Sequence, residues 1–222
     1  MEEKTEGITL KVTAFKENSR IIQIFSKDFG IISLLIKRIS PKKSNLLALS
    51  TPFCHGEFLL KKNKGDIFSF LDGNILHHHL ALRNDFNVMQ AASKCIRSIL
   101  KTQFQEKHAP MLFQLLSSYL KAIPSFQDPF VLMSSFYLKL LHYESLLHLS
   151  DKCNLCSERS VSIYRGESLC HTHASPYGFR FTKDEISTMN KLVSARNFSS
   201  LKEISLEKDL KKKIELLFED LI

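Results

Sequence analysis

The sequence predicts an α+β protein in which an N-terminal five-stranded barrel is followed by an all-helical domain with an inserted metal-binding loop. Apolar residues alternate over the first 80 residues, as in "GITLKVTA", with the two-residue period of strands. Beyond residue 84 they recur every three or four positions, which is the period of helices. Between the helical segments lies "CNLCSERSVSIYRGESLCHTH", where two short pairs of candidate metal ligands flank an alternating segment.

Turn-forming residues divide the first 80 residues into five short strands. An antiparallel sheet of this size removes its exposed edges most easily by closing into a barrel. Five strands in a small barrel describe an OB-fold, and an SH3-like barrel is the alternative. The predicted turns lie at Asn18, Asp28-Phe29-Gly30, Ser40-Pro41, Asn63-Lys64-Gly65 and Asp72-Gly73.

Helix signals begin near residue 84 and continue to the last residues. Asp128 and Pro129 are placed as the cap and first residue of a central helix, and Thr182 and Glu185 have capping-box spacing. A further helix starts behind Pro110, and the last runs through "EKDLKKKIELLFEDLI". We expect domains at 1–80 and 81–222, with the metal-binding knuckle at 150–178. The first helix is expected to bury Phe86, Met89, Ala92, Cys95, Ile96, Ile99 and Leu100, and a solvated segment is expected at His77, His78 and His79.

Composition is that of a folded protein: 44% of the 222 residues are hydrophobic. No apolar run reaches the roughly 18–20 residues of a membrane span, so we expect no membrane contact. The N-terminal "MEEKTEG" lacks the apolar core of a signal peptide, so a cytoplasmic location is expected. In that compartment the five cysteines are expected to be free thiols or metal ligands.

Positive charge is concentrated in one stretch of the chain. Residues 27–64 hold 8 Lys and Arg against 2 Asp and Glu, which favours a polyanionic partner, although a solvated surface is the alternative. An OB barrel binds single strands with a cationic groove and stacking aromatic rings. Phe25, Phe29 and Phe53 are candidates for stacking, although Phe at alternating strand positions more often belongs to a core. The candidate phosphate contacts are Arg20, Lys27, Lys37, Arg38, Lys42, Lys43, Lys61, Lys62 and Lys64.

The cysteine-rich stretch predicts one structural zinc ion. Cys153 and Cys156 form one knuckle, and Cys170 and His173, with the same spacing, complete a tetrahedral set. His171 is the other candidate for the fourth ligand. Four protein ligands leave no open position for catalysis, and a nucleobase deaminase would also need an upstream His-x-Glu. We therefore expect no enzymatic activity, with a zinc hydrolase or deaminase as the rival hypothesis.

Several motifs together resemble the RecO family of bacterial recombination mediators. The opening "EGITLKVTAFKENSRIIQIFSKDFGIISLLIKR" is similar to the family's first three strands, "PKKSNLLALSTPF" to its basic loop and "NKGDIFSF" to the entry of its fifth strand. The metal stretch resembles the family's zinc-binding form, with His173 in place of a fourth cysteine. Where the family commonly has Lys-Gly, this chain has Lys37-Arg38, which adds a positive charge.

The resemblance implies a DNA-repair protein of the RecFOR pathway without catalytic activity. Such proteins bind single- and double-stranded DNA, anneal complementary strands and act near the bacterial nucleoid. They help to load RecA onto DNA coated by single-strand-binding protein, whose C-terminal tail they bind, together with RecR and in some cases RecF. Another OB-fold protein with a zinc knuckle, associated with RNA or the ribosome, is the alternative.

Overall fold

The structure is a computed structural model that describes residues 2–39 and 44–222. The chain folds into two compact units, Met1–Pro124 and Ser125–Ile222. The first unit contains the barrel together with several helices, and the domain boundary expected between residues 80 and 81 stays a prediction. Across the described ranges, no helix combines the length and the apolarity needed to span a bilayer.

Five strands close into a barrel in the first unit, which confirms the predicted fold class. Their order around the ring is β1-β2-β3-β5-β4, with β3 parallel to β5 and the other neighbours antiparallel. A short helix crosses between β3 and β4, and this connection with the parallel closure gives the OB-type arrangement. The elements are β1 (Glu2–Ala14), β2 (Ser19–Ser26), β3 (Gly30–Lys37), α1 (Ser44–Leu49), β4 (His55–Lys61) and β5 (Ile67–His77).

Aliphatic side chains fill the barrel from alternate strand positions. Ile22 and Ile24 of β2 and Ile32, Leu34 and Ile36 of β3 are almost completely buried in one core cluster. The intervening residues of these two strands face outward, as the two-residue period requires.

One predicted turn was wrong, because Asp72 and Gly73 lie inside β5. Gly73 is paired with Phe58 of β4 and lies beneath α1. A Cβ at Gly73 would lie 2.6 Å from the Glu57 carbonyl oxygen and 3.1 Å from Leu49 Cδ1. The glycine is therefore explained by the close approach of neighbouring elements, which a local turn rule does not detect.

Two helices complete the first unit, α2 (Phe86–Thr102) and α3 (Pro110–Ala122). The expected buried face of α2 was partly wrong: Phe86 is 69% exposed and Met89 38% exposed, whereas Val88 and Ala91 are buried. The buried face of α2 is therefore rotated from the expected one, and it includes the smaller side chains of Val88 and Ala91 in place of Phe86 and Met89. His79 also differs from expectation, because it is 2% exposed although His77 and His78 are exposed.

A central helix organises the second unit. Helix α4 (Pro129–Tyr143) is buried along most of its length and packs against α5 (Lys183–Ser194) and α7 (Lys208–Asp220). Asp128 accepts a hydrogen bond from the Phe130 backbone N–H, and Thr182 and Glu185 form both bonds of a capping box, so both predicted caps are confirmed. The short α6 (Phe198–Lys202) connects α5 to α7.

Candidate metal centre and nucleic-acid interface

The cysteine-rich stretch forms a small three-stranded sheet, with β6 (Ser162–Tyr164) between β7 (Glu167–Leu169) and β8 (Phe179–Arg180). The hairpin between β6 and β7 turns at Arg165-Gly166, with φ of 50° and 81° at the two residues. Gly166 is required here, because a Cβ would lie 2.0 Å from the Leu146 carbonyl oxygen. In the chain, this hairpin connects the knuckle at Cys153 and Cys156 to the one at Cys170 and His173.

Four side chains converge beside this hairpin. The ligand atoms of Cys153, Cys156, Cys170 and His173 all lie within 4.8 Å of one another. Cys156 Sγ is 3.6 Å from Cys170 Sγ, and His173 Nδ1 is 3.6 Å from Cys153 Sγ and 3.3 Å from Cys170 Sγ. A tetrahedron with metal–sulfur bonds of about 2.3 Å has edges of about 3.8 Å, so the four residues could hold one metal ion. His171 is exposed and lies outside this group.

Backbone amides favour the thiolate form of the two cysteines that start the knuckles. Burial raises the pKa of Cys153, but N–H groups of Leu155, Cys170 and Cys156 and the His173 ring outweigh it and lower the value to about 6. Burial also raises the pKa of Cys170. Hydrogen bonds from the N–H groups of His173 and Thr172 oppose this effect, and the pKa is lowered. The pKa of His173 is raised because it hydrogen-bonds both thiols. The thiolate is the form of cysteine that binds metal, so the lowered pKa values of Cys153 and Cys170 suit a cation at this site.

The predicted phosphate contacts on the barrel differ in their present partners. Arg20 Nη1 donates hydrogen bonds of 3.1 Å to both the carbonyl and the hydroxyl oxygen of Ser50. Lys27 Nζ lies 3.9 Å from a Glu6 carboxylate oxygen. Lys62 Nζ lies 2.7 Å from a Glu106 carboxylate oxygen and 5.4 Å from the centre of the Phe68 ring. These three cations are therefore engaged within the first unit.

Four other predicted contacts are exposed cations without a carboxylate partner among the described residues. They are Lys37, Arg38, Lys61 and Lys64. Lys37 is the last residue of β3 and Arg38 follows it, whereas Lys61 is the last residue of β4 and Lys64 lies between β4 and β5, so they form two groups at separate connections. Lys42 and Lys43 lie outside the described residues.

An outward-facing surface of β1, β2 and β3 extends the candidate interface. Across it Ile21 pairs with Leu35 and Gln23 with Ser33, and all four side chains are half-buried. Lys11 of β1, which sequence reasoning missed, is exposed and pairs with Gln23. The sequence did carry a signal for the exposure of Lys11, because this residue lies between the apolar residues Leu10 and Val12 in an alternating strand.

Of the three candidate stacking rings, two cannot stack on a base in this structure. Phe25 is 0% exposed and packs 6.0 Å from the Phe113 ring, and Phe53 is 7% exposed. Phe29 is half-buried and lies 6.4 Å from the Phe68 ring. Phe15 in the β1–β2 connection is 39% exposed, with Lys16 Nζ 5.6 Å from the centre of its ring.

Comparisons with known proteins cover both halves of the chain. Residues 1–78 match the family model described as "Recombination protein O N terminal", and residues 83–222 match the one described as "Recombination protein O C terminal". The chain belongs to the RecO family. The RecO assignment confirms the resemblance read from the sequence motifs.

RecO relatives of similar length match nearly the whole chain. A protein of Chlamydia muridarum (strain MoPn / Nigg) is 30% identical over 217 residues, which are 96% of this chain and 92% of the relative. One from Bacillus mycoides (strain KBAB4) is 27% identical over 219 residues, 96% of this chain and 88% of the relative. Both are named DNA repair protein RecO, and they support a role for this RecO-family chain in DNA repair by recombination.

Proposed function

We propose that the protein is a non-enzymatic recombination mediator that binds single- and double-stranded DNA and anneals complementary strands. The family match over both halves is the observation that carries this proposal. The OB-type barrel and its exposed lysines and arginines supply a physical means. Each cation that neutralises a phosphate releases a counterion, so affinity should fall with salt at a slope of about 0.7 per contact on single strands.

Annealing by such a surface requires no reacting side chain. A cationic surface reduces the repulsion between two phosphate backbones while base pairing supplies the driving force. We assign the contacts first to the unpaired cations Lys37, Arg38, Lys61 and Lys64, together with Lys42 and Lys43. Arg20, Lys27 and Lys62 would have to exchange their present partners to reach a phosphate.

The metal in this proposal is one structural zinc ion. Sulfur and imidazole ligands in a Cys₃His set suit zinc, and a shell filled by four protein ligands leaves no position for an activated water. Zinc would fix a loop that contains only a small cluster of buried apolar residues around Leu169. The zinc ion would therefore contribute to the stability of the fold.

The partners follow from the proposed role. We propose that the protein works with RecR and RecF and binds the C-terminal tail of single-strand-binding protein while RecA is loaded onto the coated strand. Because its DNA partner lies in the bacterial nucleoid, a cytoplasmic location follows from the same proposal.

A strand-annealing assay tests the proposal. Complementary oligonucleotides carrying a fluorophore and a quencher are mixed with purified protein, with and without single-strand-binding protein, and with and without added zinc. We expect the wild type to accelerate annealing relative to the oligonucleotides alone. Lys37→Gln/Lys61→Gln should accelerate it less than the control Arg196→Gln/Lys208→Gln. If the wild type accelerates no annealing even at low salt, the proposal is wrong, and acceleration of RNA strands alone would favour an RNA-binding role.

A further inference from the structure

A pocket of about 360 Å³ lies beside the metal loop in the second unit. Three cationic residues line it, Lys152 and Arg159 from the loop and Lys183 from the first turn of α5, together with Ser157 and Ser187. Its volume is within the range of pockets that bind small ligands. The lining therefore combines concentrated positive charge with hydrogen-bond donors.

Two of these cations face each other directly. Lys152 and Arg159 form an isolated antiparallel bridge, which places their side chains on the same side of the backbone pair. Like charges in directly opposite positions destabilise a strand pair. Hydrogen bonds nevertheless hold the loop in this arrangement, from the Cys153 N–H to the Glu158 carbonyl at 2.6 Å and from the Ser160 N–H to the Asp151 carbonyl at 3.0 Å.

No carboxylate of the described residues forms an ion pair with Lys152, Arg159 or Lys183. Asp151 also lines the pocket, and its carboxylate accepts a hydrogen bond of 2.9 Å from the neutral Asn190 amide, so the lining holds three cationic side chains and one carboxylate. All three cations are exposed, so an anion from solution can reach them. The local excess of positive charge is thus left for an external ligand.

We propose that this pocket binds a backbone phosphate of a DNA strand and forms a second DNA contact, separate from the barrel. The inference rests on the proposed function, which makes DNA the available polyanion. A planar guanidinium, two ammonium groups and neighbouring hydroxyls match the oxygens of a phosphate. Because Lys152 and Arg159 flank Cys153 and Cys156 in the chain, the same loop carries metal ligands and phosphate contacts.

Fluorescence anisotropy with a labelled 30-nucleotide oligo-dT tests the inference on the full chain. Lys152→Gln/Arg159→Gln should lower affinity and reduce the magnitude of the log–log salt slope by about 0.7, the value for one phosphate contact on a single strand. The control Arg196→Gln/Lys208→Gln removes one Arg and one Lys elsewhere in the second unit, where both residues are exposed, and should leave the slope within error of wild type.

Each outcome decides a different point. Wild-type binding with equal slopes for pocket and control variants overturns the pocket while leaving the proposed function intact. Absence of wild-type binding at low salt overturns both. If the pocket variant instead retains DNA binding but loses binding of a labelled hexa-aspartate peptide, the pocket is a site for acidic protein segments and the DNA inference is wrong. Lys183→Gln, which lies on α5 outside the metal loop, should lower affinity and reduce the slope by up to about 0.7, and it provides the same test if the double variant is unstable.

Discussion

Arg20 bridges the barrel to the end of helix α1 through two hydrogen bonds of 3.1 Å to Ser50, one to its carbonyl and one to its hydroxyl oxygen. Ser50 is 1% exposed, so these acceptors lie where water cannot replace the guanidinium. Arg20 therefore has a structural role in addition to any contact with phosphate.

We expect Arg20→Met to lower the free energy of unfolding by about 1–2 kcal/mol, because a charged donor to a buried acceptor is lost while the aliphatic stem is kept. Urea denaturation measures this change. Lys37→Met is the matched control: Lys37 is exposed, so stability should stay within about 0.5 kcal/mol while oligonucleotide affinity falls. Unchanged stability in the Arg20 variant would contradict the structural role.

Arg38 has φ of 58°, the left-handed region that glycine tolerates and other residues adopt at a cost. By resemblance to the RecO family, glycine is common at this position. The backbone of this chain keeps the left-handed conformation that suits glycine, although the residue is arginine. We expect Arg38→Gly to raise the free energy of unfolding by about 0.5–1 kcal/mol and to weaken DNA binding by removing one cation.

Lys37→Gly provides the comparison for that experiment, because Lys37 is the last residue of strand β3 and glycine weakens strands. It should weaken DNA binding but lower stability, as measured by urea denaturation. A loss of stability in Arg38→Gly as large as in Lys37→Gly would mean that the left-handed residue carries no strain.

His173→Asn should reduce the metal bound per chain after dialysis and lower the melting temperature, because one of four ligands is lost. His171→Asn changes an exposed neighbour outside the group and should alter neither quantity. Elemental analysis and thermal unfolding measure the two effects. Treatment of the wild type with a chelator should bring its melting temperature down to that of His173→Asn, and an unchanged value after complete metal removal would refute a stabilising metal.

Burial, together with the nearby His77, His55 and Lys121, lowers the pKa of His79 from 6.5 to about 3. Between these two values the unfolded chain binds a proton that the folded chain does not, so stability is fully present above about pH 6.5 and falls as the pH decreases toward 3. The slope contributed by one such group is at most about 1.4 kcal/mol per pH unit.

His79→Asn should flatten the pH dependence of stability between pH 6.5 and 4 without breaking the backbone, since Asn tolerates the left-handed φ of 52° at this position. Urea denaturation at several pH values measures the slope. The exposed His78 gives the control variant His78→Asn, which should keep the wild-type slope. Identical slopes in all three proteins would show that His79 titrates normally.

Local rules of sequence predicted much of this fold. The alternation of apolar residues identified the barrel strands, and side-chain chemistry at Asp128 and at Thr182 with Glu185 identified helix starts. The knuckle spacing likewise brought together the four residues that could hold a metal ion. These features depend on residues a few positions apart, where sequence distance and spatial distance agree.

The features that were missed depend on long-range contacts. Helix α1 is only six residues long, and its apolar "NLLAL" reads equally well as a strand. Burial of His79 and the hydrogen bonds of Arg20 become visible only when the barrel and its helices are assembled. Lys152 and Arg159 stand seven positions apart, and only the metal loop brings them opposite each other.

The ring of strands closes only when its fifth strand is present, and this affects folding during synthesis. Within the described residues β3 and β5 pair at Ser33–Ile67, Leu34–Phe68 and Leu35–Ser69, whereas β1, β2 and β3 follow one another directly. About 30 residues must therefore be synthesised after Lys37 before β3 gains its second neighbour, which at about 5–20 residues per second takes roughly 2–6 s. During that interval a nascent three-stranded meander exposes an unpaired edge to other chains on the ribosome. Such an edge can pair with a strand of another chain, so aggregation is expected in the interval before β5 is made.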